Sequence, residues 1–249
     1  MKRFTMRGAF LGLTAACVLM AACASADAAM RVARVTGNGV NMRSEPSTSA
    51  GRISGLSNGD FLLVMEERRG DKHPWYGVMA EGAVEGWVYG HHVRFLTEED
   101  RDRSYDMDVY EQFEAFHMAV LDQLPHNHEG AKERFGKPAS EEHIPIPSDH
   151  DPSSIVDYYT LNYPGFELIY FESDGGSGLL GIDLPAPGLT LGKRVKIGAD
   201  VSDVVLEAGA PIFCEESTLI WTDFSGYTEF YVSLDGRSVT KIKLLTWLD

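Results

Sequence analysis

Between Arg31 and Leu96 the chain is cut into short β-rich runs by Gly, Pro, Asn and Ser, with no helical period. Arg31 to Thr36 reads as a first strand, with Gly37-Asn38-Gly39 as its turn. Val40 to Arg43 is a short extended piece that enters the loop SEPSTSAG. Phe61 to Met65 follows the Asn58-Gly59 turn, and Trp75 to Val78, Gly86 to Tyr89 and His92 to Phe95 complete the set. Strands this short in so few residues imply a small closed β-barrel, which also removes exposed sheet edges.

Four of these pieces stand in a recognisable order: VNMRSEPSTSA (Val40 to Ala50), NGDFLLV (Asn58 to Val64), WYGV (Trp75 to Val78) and GWVYGHHV (Gly86 to Val93). In this order they resemble the bacterial SH3-like family. Glu45, where that pattern has Gly, and the pair His91-His92 depart from it. The resemblance implies a barrel over residues 30–96 that holds cell-wall peptide or protein in a groove beside the loop after the first strand. The residues it points to are Asn41, Arg43, Trp75, Tyr76, Trp87 and Tyr89. Aromatic faces give rigid contact area, and Arg43 suits a carboxylate.

Residues 97–107 form a charged linker, and 108–249 read as an α+β domain. Tyr110, Phe113, Phe116, Val120 and Leu124 recur at helical spacing, and Pro125 stops that helix. A short helix from His128 to Phe135 ends at Gly136-Lys137-Pro138, and one from Asp200 to Ala208 ends at Gly209-Ala210-Pro211. A strand pair follows each stop: YTLNYPGFELIYF (Tyr159 to Phe171) and IWTDFSGYTEFYV (Ile220 to Val232) match with a shift of 61. The stops are 73 apart, so the first unit carries about twelve extra residues, placed in a loop within EEHIPIPSDHDP. The expected fold is therefore β plus α+β: the small barrel, then two helix–antiparallel-sheet repeats. The phrase IGADVSDVVLEAGAP (Ile197 to Pro211) resembles the repeat family of the β-lactamase-inhibitory proteins and small outer-membrane assembly lipoproteins. That resemblance implies a partner-binding sheet face, with Tyr158, Tyr170, Trp221, Tyr227 and Tyr231 as candidates.

Residues 1–28 read as an export signal, with Lys2, Arg3 and Arg7 ahead of the apolar run Gly8 to Ala22. Two exits stay open. Met20-Ala21-Ala22-Cys23 resembles a lipobox, in which Cys23 is lipidated, whereas Ala24-Ser25-Ala26 fits ordinary signal peptidase. The expected location is the periplasm or cell envelope, with membrane attachment only through a lipid on Cys23. Residues 97–249 carry 11 Lys+Arg against 29 Asp+Glu, a balance of −18, while residues 30–96 carry 8 against 7. An acidic half of that size repels nucleic acid, and it favours a basic partner.

Chemistry-bearing constellations are sparse. Acidic neighbours in PIFCEES keep Cys214 a thiol, and no His follows it to act as base. His126, His128, His143 and His150 match no metal-ligand spacing, and no nucleophile elbow or phosphate loop is present. No catalytic residue, metal or cofactor is expected. The sequence points to an exported, non-catalytic binding or adaptor protein, with an inhibitor of an extracytoplasmic enzyme and a cell-wall hydrolase as the alternatives.

Overall fold

The computed structural model describes residues 30–101, 108–148 and 153–247. The export signal, Cys23 and residues 102–107 of the linker lie outside them. Seven strands come first: β1 (Arg31–Val35), β2 (Val40–Arg43), β3 (Arg52–Leu56), β4 (Phe61–Arg68), β5 (Trp75–Ala80), β6 (Val84–Tyr89) and β7 (Val93–Phe95). They form one antiparallel sheet in the order β3-β2-β6-β5-β4-β1-β7. One side of this sheet packs Val35, Val40, Met42, Leu62, Val64, Tyr76, Val78 and Val88 into a core of their own.

The other side of β1, β4 and β5 is buried too. Val32, Phe61, Leu63 and Met79 join the core of the C-terminal part. That is why FLLVM reads as an unbroken apolar run and why Met79 is buried on the second face of β5. A strand with one wet face would alternate instead.

The C-terminal part contains α1 (Glu98–Arg101), α2 (Asp108–Gln123) and α3 (His128–Phe135). Four strands follow: β8 (Ser140–Pro147), β9 (Ile155–Tyr163), β10 (Phe166–Ser173) and β11 (Gly176–Leu184). Then α4 (Val201–Ala208) precedes β12 (Phe213–Glu215), β13 (Thr218–Thr222), β14 (Thr228–Asp235) and β15 (Ser238–Thr246). The sheet runs β12-β13-β14-β15-β11-β10-β9-β8, so each helix heads a four-stranded meander and the two last strands pair. The repeat extends to the caps. Asn127 and Asp200 each accept a backbone N–H of their helix. Gly136 and Gly209 end the helices at φ 82° and 80°, a region that disfavours any side chain.

Two sequence expectations change here. EEHIPIP is not loop but the edge strand β8. Pro145 and Pro147 are compatible with it because an edge strand leaves alternate N–H positions facing outward. The shift of 61 is also one residue short. The β9–β10 turn is Pro164-Gly165, whereas β13–β14 is joined by residues 223–227. Phe166, Leu168 and Tyr170 therefore match Thr228, Phe230 and Val232, all buried, a shift of 62. A one-residue slip moves every side chain to the other face.

The two parts are fastened by more than the shared core. Arg237, in the β14–β15 turn, donates to Asp200 (2.9 and 2.8 Å) and to Glu85 on β6 (2.7 Å). Asp200 also caps α4 through Ser202, and the Arg237 guanidinium holds its carboxyl well below the usual range. Cys214 donates to the Met30 carbonyl at 3.1 Å, tying β12 to the start of β1. The linker's first turn is also held. Asp100 accepts from Arg94 and from the Thr97 backbone, and these bonds lower its carboxyl to about 2.

Burial of four large apolar side chains, each contributing roughly 1.5–3 kcal/mol, makes the parts cooperative. The chain is expected to melt in one transition by both near- and far-UV circular dichroism. Arg237→Ala should lower stability by about 1 kcal/mol, the pair being half exposed, and Tm by about 2–4 °C. Two separate transitions in the unmutated protein would contradict a common core.

Candidate functional site

Strand pairing assembles the N-terminal candidates. Arg43 on β2 faces Trp87 on β6, which faces Gly77 on β5, and the next row sets Trp75 against Tyr89. Alternation then directs Asn41, Arg43, Trp87, Tyr89 and Trp75 to one side, with Met42, Val88 and Tyr76 on the core side. Gly77 is required where it stands. A Cβ there would lie 3.1 Å from the Glu66 Cβ and 3.4 Å from the indole of Trp87.

The side chains on this face are not equally available. Trp87, Tyr89, Asn41 and Arg43 are half-buried. Trp75 is only 6% exposed, covered by the Tyr89 ring at 5.2 Å. It supports the face instead of presenting itself. Tyr76 is corrected more firmly: it lies on the opposite side, edge-on to Phe95 at 5.1 Å, and burial raises its phenol pKa. Arg43 donates to the Ala50 carbonyl at 2.6 Å, fixing the loop after β2. It makes no ion pair among the described residues, so the rest of its guanidinium is open to an anionic group.

Three residues join the face that sequence reasoning missed as ligand groups. His73 meets Tyr89 edge-on at 5.5 Å and His91 at 5.1 Å, and His91 meets His92 at 5.0 Å. His91-His92 stood out only as a departure from the family pattern. His73 lies in the loop before β5, where no periodicity marks it. Together the rings make a continuous row from Trp75 to His92.

The C-terminal candidates divide by face. Tyr158 and Tyr231 are half-buried on the side away from the helices, and Tyr227 is 41% exposed beside Trp247. Tyr170 and Trp221 are core residues, at 0% and 1% exposure, and neither can touch a partner. Trp221 donates to the Gly209 carbonyl at 3.0 Å, bracing the end of α4. Tyr170 was placed with Tyr231 by the slipped register, and burial holds its phenol far above the ordinary range.

Elsewhere, burial pushes the Cys214 thiol up to about 11. His128 opens α3 and His143 lies on β8, not in a loop, and both stack on Tyr159 at 3.7 and 4.6 Å. Each meets a carboxylate, Glu172 and Asp157 respectively. His126 is exposed just before α3, and His150 lies outside the described residues. Among the described residues no three His, Cys, Asp or Glu converge to hold a metal ion, and no helix is long and apolar enough to cross a membrane.

Residues 38–94 match the family model of the bacterial SH3 domain, SH3_3. The match contains the whole ring face, from Asn41 to His92. No curated protein is similar enough to the chain to count as a relative.

Two measurements separate support from surface in this SH3 domain. Tyr76→Ala empties a packed site and should cost about 3–5 kcal/mol in urea unfolding, whereas Tyr89→Ala should cost about 1 kcal/mol. Similar losses would show that both rings are structural. For a chain starting after residue 28, Cys214 is the remaining cysteine. Its alkylation by iodoacetamide should stay slow until the pH nears 11, and half-maximal reaction near pH 8–9 would contradict the burial.

Proposed function

We propose that this chain is an exported, non-catalytic envelope protein. Its SH3 domain binds cell-wall peptide, and its acidic C-terminal sheet binds a partner protein. A bacterial SH3 domain suggests a cell-wall role, and the N-terminal leader pattern favours export. The observation that carries the reading is the ring face beside Arg43. A row of half-buried rings gives a short peptide a rigid surface, and a guanidinium without an ionic partner matches a peptide carboxylate. The loop after β2 is pinned by Arg43 itself, so the cation and the groove wall are positioned together. A non-catalytic role is supported by Cys214, which sits against the Met30 carbonyl as a thiol.

The inhibitor reading uses the same C-terminal sheet and differs only in what the partner is. Unchanged rates of lysozymes, proteases and β-lactamases in its presence would remove it.

The test of the main reading is co-sedimentation of the full mature protein with purified peptidoglycan at low salt. The unmutated protein should pellet. Arg43→Ala and Trp87→Ala should each reduce retention by about tenfold, the loss of one well-placed contact. Absence of retention in the unmutated protein would count against the reading.

A further inference from the structure

The C-terminal sheet has helices on one face only. On the other, register places Ile144, Tyr158 and Phe171 side by side across β8, β9 and β10. The next row sets Ile169, Gly181 and Leu245 together across β10, β11 and β15, and Trp247 extends the band at 55% exposure. A Cβ on Gly178 would lie 2.7 Å from the Phe171 ring, and one on Gly181 3.1 Å from Ile169. Those two side chains therefore lie across β11 and make a continuous apolar band through the middle of the face.

The row beyond this band is charged, running Glu167, Asp183 and Lys243 across β10, β11 and β15. Glu167 and Asp183 stand directly opposite each other, an unfavourable like-charge pair. Asp183 Oδ2 meets Lys241 at 3.3 Å, but its Oδ1 is buried with no hydrogen-bond partner among the described residues. Burial first, and then Asp183, raises the Glu167 carboxyl. A cavity of about 160 Å³ opens here at the β9–β10 hairpin end, lined by Asn162, Glu167, Asp183 and Pro185 and by Tyr163, Gly165 and Phe166 of the hairpin. Lys241 and Lys243 offset part of this repulsion, and a further cation at Glu167 and the unmatched Asp183 oxygen would relieve the rest.

Other ways to engage this sheet are less favourable. Pro145 and Pro147 remove donors from the C-terminal half of the β8 edge and so disfavour an added strand there. The β12 edge lies against β1. A second copy would bring its own −18 balance over residues 97–249 against this one.

We propose that this helix-free face docks a basic protein partner, with apolar side chains along the Ile144–Phe171–Trp247 band and an arginine or lysine in the Glu167–Asp183 cavity. The inference rests on the reading that the C-terminal sheet binds protein, and it adds the face and the partner's chemistry.

Two synthetic amphipathic helical peptides with one Leu/Trp pattern test it, one with Arg and one with Glu at the polar positions. Each is titrated into the ¹⁵N-labelled full mature protein. The Arg peptide should shift amides of β9, β10, β11 and β15, and the Glu peptide should shift none. Glu167→Gln with Asp183→Asn should weaken the Arg peptide about tenfold. Ile144→Asp and Trp247→Asp, both at exposed positions, should abolish binding with unchanged melting. Equal response to both peptides, or shifts confined to the SH3 domain, would overturn the proposal. So would a dimer in sedimentation that Trp247→Asp dissolves, because the face would then belong to a second copy. Peptidoglycan retention is expected to survive all these variants, so a failure here is separable from a failure of the cell-wall reading.

Discussion

Everything else in the molecule depends on the double burial of β1, β4 and β5. Small sheets are marginal on their own, because a single face of short strands removes little apolar surface from water. Here one side of those strands holds Leu62, Val64 and Val78 and the other holds Phe61, Leu63 and Met79, in two separate clusters. The second cluster is continuous with Val201, Val204 and Val205 of α4 and with Phe213 of β12. The SH3 domain is thus one wall of the C-terminal core, not a bead on a tether. Arg237 closes the rim of that contact with charge-assisted bonds to both parts.

This arrangement determines which surface is left for a ligand. On the outer side of β5 and β6, Met79 pairs with Glu85, then Gly77 with Trp87, then Trp75 with Tyr89. Met79 and Glu85 are spent on the interface, and the ring face begins two residues further, about 7 Å along the strand. The candidate groove is therefore the uncovered continuation of the docked face. Glu66, directly opposite Gly77 on β4, is a carboxylate beside these rings, and it is paired with Arg68.

Much of this was legible. Turn residues located the strands, Gly-Xaa-Pro stops located α3 and α4, and five of the six groove residues fall on one side of one sheet. The failures have specific physical causes. Tyr76 and Trp75 are adjacent aromatics, and adjacency in a strand means opposite faces, so one of them had to be core. Tyr170 and Tyr231 were equated through Gly165 and Gly226, but the second hairpin has the longer connection, and the equation slipped by one. FLLVM was read as a strand without asking what covers its second face, although an unbroken apolar run is itself the sign that something does. His73 carried no signal at all, since its place beside Tyr89 arises from the fold of the loop before β5.

The acidic balance takes on a different meaning once residues are placed. Many carboxylates of the C-terminal half have structural partners: Asp200 caps α4, Asp100 fastens the linker turn, and Glu129 and Glu141 hold Lys132. These gain stability from being charged. Glu167 and Asp183 differ, since they face each other directly and one Asp183 oxygen stays unmatched even with Lys241 and Lys243 beside it. Solubility alone does not call for two carboxylates beside an apolar band. A like-charged pair lowers stability in the free chain and is relieved when a cation arrives, so the same pair that costs folding energy strengthens binding and selects the sign of what binds.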